Sequence, residues 1–499
     1  MKITLTTLNS RFTHSSIGLR YIYANLSKFQ KDTTIMEFSI NDAVQTIAEK
    51  LLLDNPAIIG IGVYIWNASY IHELLHILKK ISPKTIIILG GPEVSYTPFR
   101  VNFDLADFIV QGEGDIAFYE LCKSIEKNNA PKSKIIPQSV PNLKELQLPY
   151  QFYTDDDIKN RYIYVEISRG CPFECEFCLS SIDEKVRTFN LDEVLKEFQN
   201  LWDRGARNFK FIDRTFNINI KTANKILDFF LEKDERYFTH FEVIPDHFPN
   251  SLKEKIKLFE HGALQMEIGI QTLNLDIANN ISRQLKLDKI KENIKFLENE
   301  TDAHIHLDLI VGLPDESLES FGNNLNELVS LSSCEIQIGI LKKLSGTQIN
   351  RHDIVHGMIY SDIPPYDILQ NNKLSFNDIQ IMKRFARFWD LTYNSGNFKN
   401  SIILLWQDEQ VYTSFYDFSS WIYTQTNSTW KISLQRLSEL LFTYLVEIKK
   451  IVPEIVASNL LKDIMKLKGR AIPHYLKPYA KEFKINSKIG NSGFNKRQV

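Results

Sequence analysis

The sequence predicts an α/β protein with a doubly wound N-terminal domain, a partial (β/α)6 barrel and a mostly helical C-terminal domain. Short β-branched runs alternate with helical periodicity over residues 1–125, and six further strand-like runs alternate with helices over 161–350. Strand-like runs fade after about residue 370. A chain of 499 residues is too long for one core, so two to four domains are expected.

The first part, residues 1–125, carries the densest strand pattern. Five strand-like runs lie at 3–8, 33–38, 57–65, 85–91 and 107–110. Apolar residues at helical spacing separate them, as at 43–53 and 70–81. Runs this apolar are typical of strands buried on both faces of a parallel sheet. The pattern therefore predicts a doubly wound, Rossmann-like domain, in which ligands bind at the carboxyl ends of the strands.

Residues 126–160 have a different character. Four prolines, Pro131, Pro137, Pro141 and Pro149, interrupt a polar sequence in which no period persists. This composition predicts an ordered but irregular linker.

The third segment, residues 161–350, is predicted to be a barrel domain. Its six strand-like runs lie at 162–167, 208–213, 240–245, 264–271, 304–314 and 335–344. Helical patterns such as 191–205 and 287–300 lie between them. Six βα units predict a barrel that lacks two of the usual eight strands and is open on one side, with its active site at the carboxyl ends of the strands.

The last segment, residues 351–499, is predicted to be mostly helical, with helices at 432–451 and 459–469. Eight aromatic residues enrich its centre: Trp406, Tyr412, Phe415, Tyr416, Phe418, Trp421, Tyr423 and Trp430. They fit either a lid over a substrate or a plain helical core. The basic tail contains Lys484, Lys488, Lys496 and Arg497, which could contact phosphates or simply be solvated.

Composition limits the classes of function. The formal net charge is −2, so no overall positive field attracts nucleic acid, and a nucleic-acid partner is not favoured. Five cysteines in so long a chain indicate a reducing compartment in which thiols bind metals or do chemistry. No signal-peptide pattern and no run of about 18 apolar residues is present, so we expect a cytoplasmic protein without membrane contact.

Three of the five cysteines lie in CPFECEFC, at Cys171, Cys175 and Cys178. Thiolates favour zinc or iron–sulfur clusters. A structural zinc site is normally closed by four ligands, and no fourth cysteine or histidine is near in sequence. A cubane cluster held by three cysteines would instead leave one iron open for chemistry. Zinc and inert thiols remain the alternative interpretations.

The CxxxCxxC spacing after the first barrel strand resembles that of the radical S-adenosylmethionine (SAM) superfamily. The surrounding ISRGCPFECEFC, with Phe177 before the last cysteine, is similar to the family pattern as well. The resemblance implies a [4Fe-4S] cluster on the three cysteines, with SAM bound to the open iron. In that family the cluster cleaves SAM and releases a 5′-deoxyadenosyl radical.

The resemblance extends to further strand ends of the barrel. In EIGIQTLNLDIANNISR, Gln271 and Arg283 stand where related enzymes contact SAM. Glu242 occupies the third-strand position where related enzymes place a polar SAM contact, and Asp213, which ends the second strand, is a further implied cofactor contact; Asp308 lies on the fifth strand. IDRTFN replaces the usual Gly-Gly-Glu after the second strand, as in the cobalamin-dependent branch. No catalytic residue is assigned.

The N-terminal domain resembles the cobalamin-binding radical SAM subfamily. The resemblance rests on a GGPE turn followed by GEG, and the implied cofactor contacts are Gly90, Gly91, Pro92, Glu93, Gly112, Glu113 and Gly114. No GxGxxG follows the first strand, which argues against a dinucleotide. The usual Asp-x-His-x-x-Gly signature is missing, so His14 is not assigned to cobalt and is expected to be a hydrogen-bonded loop residue.

The aromatic residues Tyr64, Trp66, Tyr70 and Tyr96 lie near the same strand ends and are expected to pack against the corrin. The alternative is a degenerate Rossmann-like module that only packs and binds partners.

Together the resemblance implies a cobalamin-dependent radical SAM enzyme that methylates an unactivated carbon. The alternatives are a radical rearrangement or cyclisation of a small molecule, or modification of tRNA or a peptide. The implied partners are a small-molecule or peptide substrate and an external electron donor of the flavodoxin or ferredoxin type.

Overall fold

The computed structural model describes residues 1–183, 185–407, 409–466 and 469–480. The tail residues Lys484, Lys488, Lys496 and Arg497 lie outside this part of the chain. Within it, two six-stranded sheets and a helical C-terminal region follow one another, which confirms the predicted α/β class.

The N-terminal domain is a doubly wound parallel sheet. Its strands are β1 (Ile3–Asn9), β2 (Thr33–Ser39), β3 (Ile58–Gly62), β4 (Ile86–Gly90), β5 (Phe108–Gly112) and β6 (Ile135–Ser139). Its helices are α1 (Ile17–Ala24), α2 (Val44–Leu52), α3 (Ala68–Ile81) and α4 (Gly114–Glu126). The strand order β2-β1-β3-β4-β5-β6 reverses direction at β1, and separate apolar cores lie on the two faces of the sheet.

The segment predicted to be an irregular linker, residues 126–160, holds regular structure. Strand β6 adds to the free edge of the first sheet beside β5, and α5 (Asp155–Asn160) follows with a capping box at Thr154. Pro137 lies within β6, and an edge strand tolerates proline because one side of its backbone needs no partner. The prediction of an irregular linker was therefore wrong for Ile135–Ser139, because prolines are compatible with an edge strand as well as with a loop.

The second sheet is the wall of the predicted partial barrel. Its strands are β7 (Ile163–Val165), β10 (Asn208–Phe211), β11 (Phe238–Val243), β12 (Leu264–Gln271), β13 (His304–Val311) and β14 (Glu335–Ile340). All pair in parallel in the order β14-β13-β12-β11-β10-β7, so the barrel is open between β7 and β14. A short ribbon of β8 (Ser168–Arg169) and β9 (Arg187–Thr188) flanks the cysteine loop.

Helices cover the outer face of the barrel. They are α6 (Leu191–Asp203), α7 (Ile220–Leu231), α8 (Asn250–Ile256), α9 (Leu275–Asn280), α10 (Leu287–Glu300) and α11 (Leu318–Leu331). Along β12 and β13 burial alternates residue by residue, because apolar side chains face the helices and polar ones face the lumen.

The C-terminal region is mostly helical, with one small hairpin of β15 (Ile359–Tyr360) and β16 (Ile368–Gln370). Its helices are α12 (Phe376–Trp389), α13 (Val411–Thr426), α14 (Leu434–Thr443), α15 (Pro453–Met465) and α16 (Lys477–Ala480). Phe385 and Trp389 of α12 pack against Phe415 of α13. This aromatic segment thus builds a helical core, the second of the two interpretations that the sequence allowed. Among the described residues, no helix combines the length and apolar character needed to cross a bilayer.

Candidate functional site

The three clustered cysteines lie on a tight loop at the carboxyl end of β7. Gly170 opens the loop with a φ of +92°, and a Cβ there would overlap the carbonyl oxygens of Lys185 and Asp183. Only glycine fits this position. The backbone N–H of Cys171 donates to the Asp183 carbonyl at 2.9 Å, and that of Cys178 donates to the Cys175 carbonyl at 3.0 Å. These contacts fold the loop back on itself and bring the thiols together.

The donor set fits an iron–sulfur cluster better than a single zinc ion. Cys171 and Cys175 are buried, and burial, with a smaller contribution from the other two thiols, raises the pKa of Cys171 to about 11. Around one ion, Zn–S bonds of about 2.3 Å would hold every sulfur pair within roughly 4.6 Å. Among the described residues, the three sulfurs do not form a group within 4.8 Å of one another. A cubane separates its ligands more widely.

The two remaining cysteines are far from this loop. Cys122 is buried in α4 of the N-terminal domain, and Cys334 precedes β14, at the amino end of the barrel. Neither supplies a fourth thiolate. The loop therefore offers three protein ligands, and a cluster bound there would keep one open position.

Arg283, predicted from the sequence, contacts this loop, and Gln271, also predicted, lies beside the Gly269 to which Arg283 is bonded. One guanidinium nitrogen of Arg283 donates to the Cys175 sulfur at 3.5 Å, and the other terminal nitrogen donates to the Gly269 carbonyl. The Arg283 Nε is buried and has no hydrogen-bond partner among the described residues. An unsatisfied buried donor is costly, and a carboxylate ligand would satisfy it.

Gln271 lies directly above Gly269, where the pairing of β12 with β13 shifts register. Its φ of +68° is unusual for a side-chain-bearing residue, and a Cβ on Gly269 would lie 2.6 Å from its Nε2. The pairing register sets Asp308 of β13 beside Gly269. Burial raises the pKa of Asp308 well above its usual range, and Glu267 and Glu242 add to the shift.

The other two predicted barrel residues have protein partners. Glu242 pairs with Arg214 at 3.0 Å, and Glu242 raises the pKa of that arginine, with Cys178 adding to the effect. Asp213 is buried beneath the cysteine loop and accepts hydrogen bonds from the Ile167 N–H at 3.0 Å and the Ser168 hydroxyl at 2.5 Å. Burial raises the pKa of Asp213 to about 7. In this arrangement Asp213 holds the strand that leads into the loop.

A fully buried carboxylate within the loop, Glu176, was missed by the sequence reasoning. Its two oxygens accept from the Ser282 hydroxyl at 2.5 Å and contact His352 Nε2 at 2.8 Å. It also pairs with Arg351, and its backbone carbonyl accepts from the Ile349 N–H at 3.0 Å. The start of the C-terminal region is thus attached to the cysteine loop. No local pattern could have revealed partners 106 and 176 residues away.

The carboxyl edge of the N-terminal sheet is lined by glycine. Gly62 and Gly90 are register partners on β3 and β4, and Gly112 ends β5. Gly91 follows with a φ of +105°, and a Cβ there would lie 2.6 Å from the Val63 carbonyl. Strand ends without side chains allow a large flat ligand to approach the backbone, so this edge fits a corrin.

The predicted aromatic Trp66 lies at the same edge. Its indole stacks on Tyr64 with ring centroids 4.5 Å apart, and its N–H donates to the Leu8 carbonyl at 3.0 Å. The residue remains 40% exposed, so it can contact a ligand. Next to Pro92, Glu93 is buried, which raises its pKa, and it accepts a hydrogen bond from Tyr366 of the C-terminal region.

The predicted GEG segment lies where the two α/β domains meet. Glu113 pairs with Arg169 and Arg187 of the barrel ribbon, and Asp115 pairs with Arg169 at 2.9 Å. The Gly112–Gly114 turn is thereby fixed against the segment that carries the cysteines. His14 hydrogen-bonds through Nδ1 to the Tyr164 hydroxyl, and its pKa is lowered to about 4, chiefly by burial. It is the hydrogen-bonded loop residue that the sequence predicted.

A three-thiol loop at the mouth of a partial barrel, with a glycine-lined doubly wound domain fixed beside it, defines a class of two-cofactor metal enzyme. Family models agree: the B12 binding domain matches residues 3–122, the radical SAM superfamily matches 165–328, and a protein family of unknown function, DUF4080, matches 355–493. The chain therefore carries a radical SAM domain behind a B12-binding domain, the combination that the sequence predicted, and is a radical SAM enzyme.

Curated relatives and solved structures align with most of this chain. An uncharacterised methyltransferase of Pyrococcus horikoshii is 24% identical over 70% of this chain and 80% of its own length. The chain spans about half the length of two further curated methyltransferases that it matches. The radical SAM methyltransferase TsrM of Kitasatospora setae, solved with cobalamin and a [4Fe-4S] cluster, aligns over 73% of this chain and 78% of its own, with 14% identity and a TM-score of 0.60.

The radical SAM enzyme OxsB, solved with aqua-cobalamin and SAM, aligns over 93% of this chain and 79% of its own, also with 14% identity and a TM-score of 0.60. At this identity the likeness shows the fold. Because the alignment with OxsB covers 93% of this chain, the shared fold extends into the C-terminal region.

Proposed function

We propose that this protein is a cobalamin-dependent radical SAM methyltransferase that acts on an unactivated carbon of a small-molecule or peptide substrate. The observation that carries the proposal is the three-cysteine loop, which has Arg283 on one of its sulfurs and is joined to the glycine-lined sheet edge through Glu113 and Asp115. The domain matches and the methyltransferase relatives support it.

The cofactors divide between the two domains. Cys171, Cys175 and Cys178 would hold a [4Fe-4S] cluster, and the edge formed by Gly62, Gly90–Glu93 and Trp66 would hold cobalamin. When bound, the cluster with SAM supplies a carbon-centred radical, and cobalamin supplies the methyl group. An external flavodoxin- or ferredoxin-type donor would provide electrons, and a cytoplasmic location fits such a partner.

The chain's own side chains position and shield these groups. The partnerless Nε of Arg283 is available to the SAM carboxylate, and Gln271 is held above Gly269 to contact the same ligand. Glu242 of β11 and Asp308 of β13 lie on either side of β12, and their carboxyl oxygens can accept hydrogen bonds from hydroxyl groups. Tyr366, bonded to Glu93, joins the C-terminal region to the cobalamin edge, and Tyr96, packed against Gly346, joins the end of the barrel segment to it; both would limit water there.

The test uses anaerobically reconstituted full-length protein with cobalamin, strong reductant and SAM labelled in its methyl group. The proposal expects release of 5′-deoxyadenosine and transfer of label to a substrate or surrogate. Release of 5′-deoxyadenosine without transfer of the label would indicate a rearrangement or cyclisation instead of methylation. No release from a protein that carries a full cluster would refute the radical step.

A further inference from the structure

The amino end of the barrel holds two histidines and a glutamate on adjacent strands. His304 and His306 flank the buried Ile305 on β13, so both imidazoles lie on the lumen face. Glu335, the first residue of β14, is the register partner of His306. Strand pairing alone therefore brings the three side chains together.

Their ligand atoms are spaced as around a single ion. The two Nε2 atoms are 2.8 Å apart, and the Glu335 oxygens lie 3.2 Å from His304 Nε2 and 3.3 Å from His306 Nε2. With bonds of about 2.1 Å, neighbouring ligands of an octahedral or tetrahedral ion lie roughly 3.0 to 3.4 Å apart. One ion would replace the direct contacts with only small side-chain shifts.

The surroundings orient His306 for this role. Gln337 Nε2 lies 3.1 Å and Gln265 Nε2 lies 3.3 Å from His306 Nδ1, so the ring is held with Nε2 towards His304 and Glu335. A metal-bound imidazole usually has its second nitrogen hydrogen-bonded in this way. Either amide, turned about its last bond, would accept the Nδ1 proton of the metal-binding tautomer.

We propose that His304, His306 and Glu335 form a binding site for a divalent first-row transition metal, with Zn²⁺ as its first occupant to test. Two imidazoles and a carboxylate suit zinc or ferrous iron, unlike the all-thiolate set at the other end of the barrel. The His304 side chain is 30% exposed, so the ion would keep solvent positions on the lumen side. This is the arrangement of an open site and not of a closed structural one.

The experiment measures binding of Zn²⁺ and Co²⁺ to untagged full-length protein in the Cys175→Ala background, which removes the competing cluster. We expect one equivalent per chain by calorimetry, with the ligand-field absorption of nitrogen- and oxygen-bound Co²⁺. His306→Ala should weaken binding at least about 100-fold, because losing a ligand costs more than losing an outer hydrogen bond. His304→Gln is a milder second variant, should His306→Ala fold poorly.

The matched control is His72→Ala. His72 and His76 form another close histidine pair, with ring centroids 4.8 Å apart on α3. If that pair, and not the barrel site, binds the metal, His72→Ala will abolish binding while His306→Ala leaves it unchanged, and the proposal is wrong. Absence of micromolar binding by the parent protein would also overturn the proposal. His304, His306 and Glu335 would then form a hydrogen-bonded cluster that binds no metal. Neither outcome depends on methyltransferase activity.

Discussion

The two ends of the barrel are built in different ways. At the carboxyl end, the cysteine loop takes its shape from Gly170 and from distant partners such as Ser282 and His352. At the amino end, His304, His306 and Glu335 lie on the strands themselves, so pairing register alone places them. A loop-built site should therefore depend on remote contacts, whereas a strand-built site should fail only when its own side chains change.

The largest effect is expected from Cys175→Ala. With two thiolates left, the loop cannot hold a cubane, so iron and sulfide content and the cluster's electron paramagnetic resonance signal should fall close to background. Cys334→Ala, at the opposite end of the barrel, is the control and should retain both. Normal iron in Cys175→Ala would show that the ligand assignment is wrong.

Arg283→Met tests the open side of the loop. We expect affinity for SAM to fall about 10- to 100-fold, because a hydrogen bond to a charged group is worth about 1.5–3 kcal/mol. Calorimetry on reconstituted protein measures it, with iron content checked because Arg283 also contacts Cys175. The control is Arg207→Met. Arg207 precedes β10, and its guanidinium pairs with Glu235. Equal SAM affinity in both variants would show that Arg283 does not bind SAM.

The sequence predicted most of the carboxyl-end site but less of what supports it. The cysteines, Gln271 and Arg283 stand in local patterns; the structure joins Arg283 to Cys175 and to Gly269, and Gln271 lies beside that glycine. Glu176 stands in the same motif, yet its partners come from the segments around 282 and 352 and become visible only after folding. Likewise β6 was missed because its proline pattern matches a loop as well as an edge strand.

At the amino end, the sequence predicted a strand at 304–314 but not what its polar side chains do. The pairing of His306 with Glu335 depends on the register between β13 and β14. Periodicity predicts that two strands exist, whereas register is fixed by packing of the whole sheet. Clusters that cross strands are therefore harder to read from sequence than loop motifs.

Glu176→Ala tests the dependence of the cysteine loop on remote contacts. Removing this carboxylate leaves the Ser282 hydroxyl and the buried His352 without their partner, and an unsatisfied buried polar group costs about 1–3 kcal/mol. We expect a lower urea midpoint together with weaker retention of iron. Glu174→Ala removes an exposed carboxylate from the same loop and should change neither. If both variants retain iron equally, the loop does not need its attachment to the C-terminal region.

The last effect is spread over several pH units and concerns Glu316, which follows β13 at the same end of the barrel. It is buried and accepts hydrogen bonds from Thr272 and Asn324, each at 2.9 Å, and burial raises its pKa from 4.5 to about 8. Between those pH values the folded protein keeps a proton that the unfolded chain releases. This group therefore lowers stability as pH rises from about 4.5 towards 8, by up to about 1.4 kcal/mol per unit, and the loss levels off above that range.

Glu316→Gln keeps the shape of the side chain and removes its titration. Near the acidic end of this window the parent should therefore have the higher urea midpoint. As pH rises, the midpoint of the parent should fall relative to that of the variant. Glu319→Gln, an exposed change on α11, should run parallel to the parent at every pH. A Glu316→Gln curve that also runs parallel would mean that Glu316 ionises normally in the folded protein. Its oxygens would then need a hydrogen-bond donor beyond Thr272 and Asn324, because a buried carboxylate is stable as an anion only when its charge is compensated.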